Sequence, residues 1–221
     1  MIKASFIPKE PFYLAFSGGT DSLVVAHFLS QSHASKMTLL YVNHGTEFGQ
    51  FSENKVKDLA QSLNLPLDIY HVTQEPNKGQ SLEEFWRNER MSIFHAQNRP
   101  VVTAHHLDDC LETWIFSSLH GLGKIIPLYN KNIVRPFLLT KKKDLERYAE
   151  RKGIIPLEDP SNLDVRFARN NIRHNIVPLA LDVNPGLHKT VARKVERMMQ
   201  DTNVNRSCDA VTENSCKPKG L

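Results

Sequence analysis

Apolar and polar residues follow two different rhythms along the chain, and the change of rhythm divides it. Up to residue 136, short unbroken apolar runs of strand length alternate with longer stretches at helical spacing. Phe12-Tyr-Leu-Ala-Phe16 is the first strand-like run, closed by the turn residues Ser17-Gly-Gly19, and from Asp21 onward Val25, Phe28 and Leu29 recur as on a helix. Met37–Val42, Leu67–Val72 and Val101–Ala104 are further strand-like runs, with Ile133-Val134 a brief fifth. Between them, Val56, Leu59, Ala60 and Leu63 form a helical stripe, 82–97 reads as a helix, and Leu107, Leu111 and Ile115 open another. Strands with near-continuous apolar character, each followed by a helix, predict an α/β fold: a parallel five-stranded sheet with helices on both faces. In such sheets ligand sites lie beyond the carboxyl ends of the strands, which selects the loops Ser17–Ser22, Asn43–Gln50 and His105–Asp109.

After Pro136 helices follow one another without an intervening strand. Leu145, Tyr148 and Ala149 mark one, Val191, Val195 and Met198 another, with Asp159-Pro-Ser161 a turn between them. The pattern predicts an α/β domain over 1–136, a helical appendage over 137–200, and a disordered polar tail over 201–221. A length of 221 residues at 40% apolar content suits this organisation. Charge sharpens it: residues 1–130 carry 10 Lys/Arg against 13 Asp/Glu, whereas 131–200 carry 15 against 8. A small-molecule site joined to a surface for a polyanion would produce this split; so would an ordinary basic helical face. No apolar run approaches the roughly 18 residues of a membrane span, so no membrane partner is expected. The absence of a basic-then-apolar leader argues against secretion. Cys110, Cys208 and Cys216 lie far from any CxxC or Cys/His zinc spacing, pointing to a reducing compartment and away from a cysteine-bound metal.

The string Ser17-Gly-Gly-Thr-Asp-Ser22 sits between a predicted strand and a predicted helix. Gly18 and Gly19 allow a tight turn that brings backbone N–H groups to an anion. The helix start adds its positive end, and the Ser17, Thr20 and Ser22 hydroxyls can donate. No lysine follows the glycines, so this is not a GxxxxGK[ST] loop; Asp21 instead offers a carboxylate that could hold Mg²⁺ bridging phosphates. The bland alternative is a turn with Thr20 or Asp21 capping the helix.

A second block, His105-His-Leu-Asp-Asp-Cys-Leu-Glu-Thr113, follows the fourth strand. On a helix from Leu107, Asp109 and Glu112 are neighbours at i,i+3 and Asp108 and Glu112 at i,i+4. Such carboxylates can bind Mg²⁺, hold a cationic amine and take its proton, or simply favour a helix start. A metal set of His105, His106 and Asp109 is a weaker alternative, because adjacent histidines cannot easily share one ion. In the preceding helix Trp86, Arg90 and Phe94 share one line, with Arg87 beside it. An arginine on an apolar line needs an anion such as a triphosphate or carboxylate, or snorkels at the helix edge. Further on, Arg166, Arg169 and Arg173 share a face if the helix already includes 166, presenting three guanidinium groups to a phosphate backbone.

The loop resembles that of the PP-loop, N-type ATP pyrophosphatase family, which cleaves ATP between its α- and β-phosphates. The ordered set SGGTDS, His44-Gly45, Glu83/Arg87/Arg90, HHLDDxxET, Arg135-Pro136 and EDPSN…RNxIR over residues 11–190 resembles, more narrowly, the tRNA(Ile)-lysidine synthetases. That resemblance implies a cytoplasmic ligase able to form a homodimer, with residues 1–136 as its PP-loop ATP-binding catalytic domain and 137–200 facing tRNA. ATP would adenylate O2 of the wobble cytidine in an isoleucine tRNA with a CAU anticodon. Free lysine would then attack C2 and expel AMP. Ser17–Ser22 would cradle phosphate, with Asp21 assisting the metal. Asp109 and Glu112, beside Asp108, would receive the lysine ammonium or its proton. Arg87 or Arg90 would neutralise charge at the adenylated base, and Arg169 and Arg173, with Arg166, would close the site or contact RNA.

Thr46-Glu47 stands where the family usually has Leu-Arg, His120-Gly-Leu-Gly123 where it has RGSG, and most relatives carry further C-terminal domains for gripping tRNA. These departures leave two alternatives: another PP-loop tRNA modifier such as a 2-thiolation enzyme, or a catalytically inactive tRNA-binding homologue. An amide-forming ATP pyrophosphatase acting on a small molecule conflicts with the basic segment.

Overall fold

The computed structural model describes residues 1–157 and 164–214, side chains of 47–48 and 203–214 excepted. Its centre is a six-stranded sheet: β1 (Phe12–Ala15), β2 (Met37–Asn43), β3 (Leu67–His71), β4 (Val101–Val102), β5 (Tyr129–Asn130) and β6 (Ile133–Val134), in the order β3-β2-β1-β4-β6-β5. All neighbours are parallel except β5, which pairs antiparallel with β6. The expected five parallel strands are all present. The sixth is a two-residue edge strand folded back by the turn at Lys131, whose φ of 54° departs from the usual range, and two residues are too few to leave a period in the sequence.

Alternation along the strands fills both faces. Phe12, Leu14, Leu39, Tyr41 and Val102 join one core cluster, while Tyr13, Leu40, Val42, Val101 and Ile133 join another. The first cluster is covered by α1 (Thr20–His33) and α2 (Glu47–Ser62), which contribute Leu23, Val24, Val56 and Ala60. The second is covered by α3 (Leu82–His95), through Phe85 and Phe94. A third cluster joins α4 (Leu107–Leu119) to α8 (Leu187–Asn214), where Leu187, Val191, Val195 and Met199 repeat every fourth residue along the buried side.

The core does not change hands at residue 137. Phe137, Leu145 and Ala149 are buried in the first sheet cluster, so α5 (Lys142–Lys152) packs on α1 as part of the α/β unit. Its high charge disguises this, because only every third or fourth residue faces inward. Beyond it, Ala168–Asn171 (α6) opens into a π turn over Ile172–Ile176 and continues as Val177–Val183 (α7). Helix α8 continues past Asp201, where the sequence pattern predicts the tail to begin, as far as Asn214. The turn expected at Asp159-Pro-Ser161, and with it the EDPSN string, lies outside the described residues.

The strand order places a topological switch at β1: the chain runs outward through β2 and β3, then crosses to β4 on β1's other side. The β1–α1 and β4–α4 loops therefore leave adjacent strands in opposite directions and frame a crevice, the usual position for a ligand.

Leu145→Ala tests the placement of α5. Its side chain is fully buried, so the truncation is expected to lower the unfolding free energy by about 2–5 kcal/mol. Denaturant titration should show that loss in the transition of the whole α/β unit; a change confined to a separate, weaker transition would assign α5 elsewhere.

Candidate active site

The first side of the crevice is the glycine loop. Gly18 has φ +78°, and a Cβ there would meet Val56 Cγ2 at 3.3 Å and Leu157 Cβ at 3.5 Å, so both backbone and space require glycine. Ser22 Oγ donates to Gly19 O at 3.1 Å and accepts from Ser17 N at 3.2 Å, bracing the turn from within. Gly19 stands at the N-cap of α1 in extended conformation with no side-chain cap bond. The first-turn amides thus keep the open, electropositive helix start that an anion requires.

Asp21 faces the second side. Lys142 Nζ donates to its Oδ1 at 2.7 Å, and His106 Nε2 lies 3.5 Å from its Oδ2. Burial alone would raise the Asp21 pKa, but His106 and Lys142 outweigh it and hold the carboxyl far below the usual carboxylate range. His106 is itself buried at the N-cap of α4, with the Asp109 side chain accepting from its backbone N at 2.8 Å. Burial would lower its pKa; Asp109, Asp21 and Asp108 reverse this and push it up to about 9. The Asp109 N–H approaches His106 Nδ1 at 3.4 Å, a contact that needs a neutral ring. Three nearby carboxylates favour the imidazolium more strongly than so long a bond favours neutrality.

The predicted acid trio is brought together, but its members are differently engaged. Asp108 accepts from the backbone N of Lys142 and meets His188 Nε2, both at 2.8 Å, tying α4 to α5 and α8. Asp109 braces the N-cap. Glu112 is buried and receives two bonds from Arg173, Nε to Oε1 at 2.7 Å and Nη2 to Oε2 at 3.0 Å. Burial raises the Glu112 pKa, with Arg173 opposing.

Arg87, Arg90, Arg135 and Arg169 cluster near His105, within electrostatic reach of one another. Arg90 is exposed rather than on a buried line; neighbouring protein atoms, then Arg87 and Arg169, lower its pKa. Arg135 donates Nη1 to Pro127 O at 2.9 Å, but its buried Nε has no hydrogen-bond partner among the described residues, and burial followed by Arg87 bring its pKa down to about 10. Glu83 is a distant counter-charge, 3.9 Å from Arg169 Nε. His105 is driven down to about 4 by burial above all, with Arg135, Arg90 and Arg169 adding to it and Asp109 opposing, and its Nδ1 bonds Thr103 Oγ1 at 2.7 Å. Such a cluster of guanidinium groups can hold an anion.

Some expectations change. The stripe of Arg166, Arg169 and Arg173 is broken, because the helix begins at Ala168 and Arg166 is held by Asp164 outside it. Arg173 points to Glu112 and Asp109 rather than outward. Thr46 caps α2, accepting from Gly49 N at 3.0 Å, and His120 bonds Phe116 O at the end of α4, so both unusual positions serve helix ends. The His105/His106/Asp109 metal alternative fails: no group of three His, Cys, Asp or Glu suited to a metal occurs among the described residues. Mg²⁺ needs only one or two carboxylates beside phosphate oxygens, a role that Asp21 fits by position and ionisation. Lys142 and His188 were missed by sequence reading. Lys142 lies within the run Lys141–Lys143, where charge is visible and partnership is not.

With this geometry in place, the comparison with known proteins is decisive on one point: the pattern of the PP-loop domain family matches residues 2–180. The chain belongs to the PP-loop family. Curated relatives include the tRNA(Ile)-lysidine synthase of Coxiella burnetii, 32% identical over 197 residues, covering 82% of this chain and 44% of that protein. That of Nitrosomonas europaea is 32% identical over 214 residues, covering 89% and 46%. The chain thus spans less than half the length of these relatives. Among solved structures, the U34-tRNA thiolase NcsA from Methanococcus maripaludis, with its [4Fe-4S] cluster, superposes with a TM-score of 0.71 at 17% identity, covering 89% of this chain and 74% of that one. The likeness confirms the PP-loop fold. The family implies use of ATP, and no described helix is long and apolar enough to cross a membrane.

The His106 pKa predicts a pH signature. The folded-state pKa, about 9, lies above the ordinary 6.5, so the stability it contributes is complete below about pH 6.5 and lost as pH rises through 9. Denaturant titrations from pH 6 to 9.5 should show the advantage of wild type over His106→Asn shrinking across that interval; a constant difference would refute the imidazolium.

Proposed function

We propose that this PP-loop protein is a tRNA(Ile)-lysidine synthetase, converting the wobble cytidine of a CAU-anticodon isoleucine tRNA to lysidine in the cytoplasm with ATP and free lysine. One observation carries the reading: the acids of α4 lie beside the glycine loop, with His106 3.5 Å from both Asp21 Oδ2 and Asp109 Oδ2 and Glu112 one turn further along the same helix. Carboxylates beside a nucleotide site suit a cationic second substrate.

In the first step, O2 of the cytidine attacks the α-phosphorus of ATP and pyrophosphate leaves. The open start of α1 and the Ser17–Ser22 loop hold phosphate, while Lys142 supplies positive charge beside Asp21. Asp21 would hold Mg²⁺, whose contribution is charge neutralisation between phosphates. Arg87 and Arg90, joined by Arg135 and Arg169, hold the RNA phosphate or the charge developing at the adenylated base. In the second step, the ε-amine attacks C2 and AMP leaves. The amine must first lose a proton, and Glu112, made more basic by burial, takes it with Asp109 assisting.

The thiolation alternative needs an accessible sulfur carrier. Cys110 is buried, and burial pushes its thiol far up, leaving it un-ionised and enclosed. The inactive-homologue alternative rests on Thr46-Glu47 and His120; the Thr46 and His120 side chains act at helix ends.

Purified chain given ATP, Mg²⁺, radiolabelled lysine and the CAU-anticodon tRNA should release AMP and pyrophosphate and carry label into RNA. Asp21→Ala is expected to lower pyrophosphate release by about 100-fold or more, whereas Glu112→Ala should leave most of it and lose lysine incorporation. Cys110→Ser should remain active. Pyrophosphate release without label in RNA would point to another nucleophile; tRNA binding without either product would point to the inactive homologue.

A further inference from the structure

The seat proposed for the substrate amine is already filled. Arg173 grips Glu112 through two parallel bonds of 2.7 and 3.0 Å, and its Nη2 lies 3.6 Å from Asp109 Oδ1. Glu112 is only 4% exposed, so an ionised carboxylate there without a partner would be costly. The guanidinium fork removes that cost, and does so better than a single ammonium could. Both oxygens of Glu112 are taken, so a substrate ammonium reaches it only by displacing Arg173.

The surroundings suit displacement. Arg173 is the second residue of the π turn Ile172–Ile176, a local irregularity that frequently marks functional sites. Ile172 is buried in the α4–α8 cluster and fixes the backbone, whereas the Arg173 side chain keeps 42% of its surface accessible. Beside it lies a cavity of about 340 Å³, lined by Asp108, Glu112, Lys142, Glu146 and His174 as well as Arg173 itself. The cavity leaves room for the guanidinium to swing and for an amino acid to approach Glu112 from outside. Asp21, at the phosphate loop, is within electrostatic reach of the Arg173 charge.

We propose, on the reading that lysine is the attacking amine, that Arg173 is an internal stand-in for the substrate ammonium: it occupies Glu112 until a long-chain cation displaces it, and the freed guanidinium then turns toward the nucleotide phosphate. The exchange has two effects of opposite sign. Competition weakens lysine binding, and displacement delivers positive charge to the departing AMP. Arg173 is thus a positioning residue that makes the second step depend on an occupied amine seat.

The test separates binding from turnover in the 221-residue chain. Calorimetric titration with L-lysine, in wild type, R173K and R173A, should show lysine bound about tenfold more tightly by R173A than by wild type, with R173K between them because an ammonium cannot fork. In steady state, R173A should lower KM for lysine and kcat together. Weaker or unchanged lysine binding in R173A, with wild-type binding intact and the variant folded by circular dichroism, overturns the stand-in alone. If R173A does not fold, R173K decides: tighter binding supports the proposal and unchanged or weaker binding overturns it. Failure of wild type to bind lysine overturns the lysine reading itself, and this proposal with it.

Discussion

The site depends on one buried electrostatic junction, in which His106 stands between Asp21 and Asp109 while Lys142 completes the charge on Asp21. Three loops from separate places in the chain converge there: the exit of β1, the exit of β4 and the start of α5. Opposite charges must be matched locally, because burial would otherwise drive each toward neutrality. Asp21 and His106 are each held ionised by their partners. Two loops that the sheet only places near one another are thereby fixed in register.

The crevice sorts charge by direction. The α1 start and Lys142 form one positive region, the acids of α4 form a negative band, and the arginines of α3, α6 and the β6 exit form a second positive wall. A substrate with one anionic part and one cationic part can satisfy this sequence in a single orientation. On the proposed function, specificity would come from the order of signs as much as from shape. The Arg135 Nε, without a hydrogen-bond partner among the described residues, and the neutral His105 belong to the second wall, where bound anion would supply a partner.

Local patterns in the sequence reach as far as local physics does. The five parallel strands, the helices from α1 to α4 and the glycine loop were legible because each rests on periodicity or turn chemistry within a few residues. The partnerships that make the site were not. Asp21 meets Lys142 across 121 positions and Glu112 meets Arg173 across 61, distances over which no period survives. Composition also misled at α5: Lys142–Lys152 is so charged that its buried Leu145 and Ala149 passed for part of a basic appendage, when they complete the sheet's own core. Arg166 shows the reverse error, where even spacing suggested a helical face and a short Asp164 contact set the residue outside the helix.

The packing of α5 also settles what can be cut from what. Its inner face seals the sheet, while the residue that opens it supplies both the ammonium on Asp21 and the amide on Asp108. Scaffold and chemistry are therefore fused in one short helix, and no boundary drawn before it leaves either intact. A minimal nucleotide-binding module excised from this protein, or grafted onto another, has to carry the chain through Lys152; the seam between modules belongs beyond that residue.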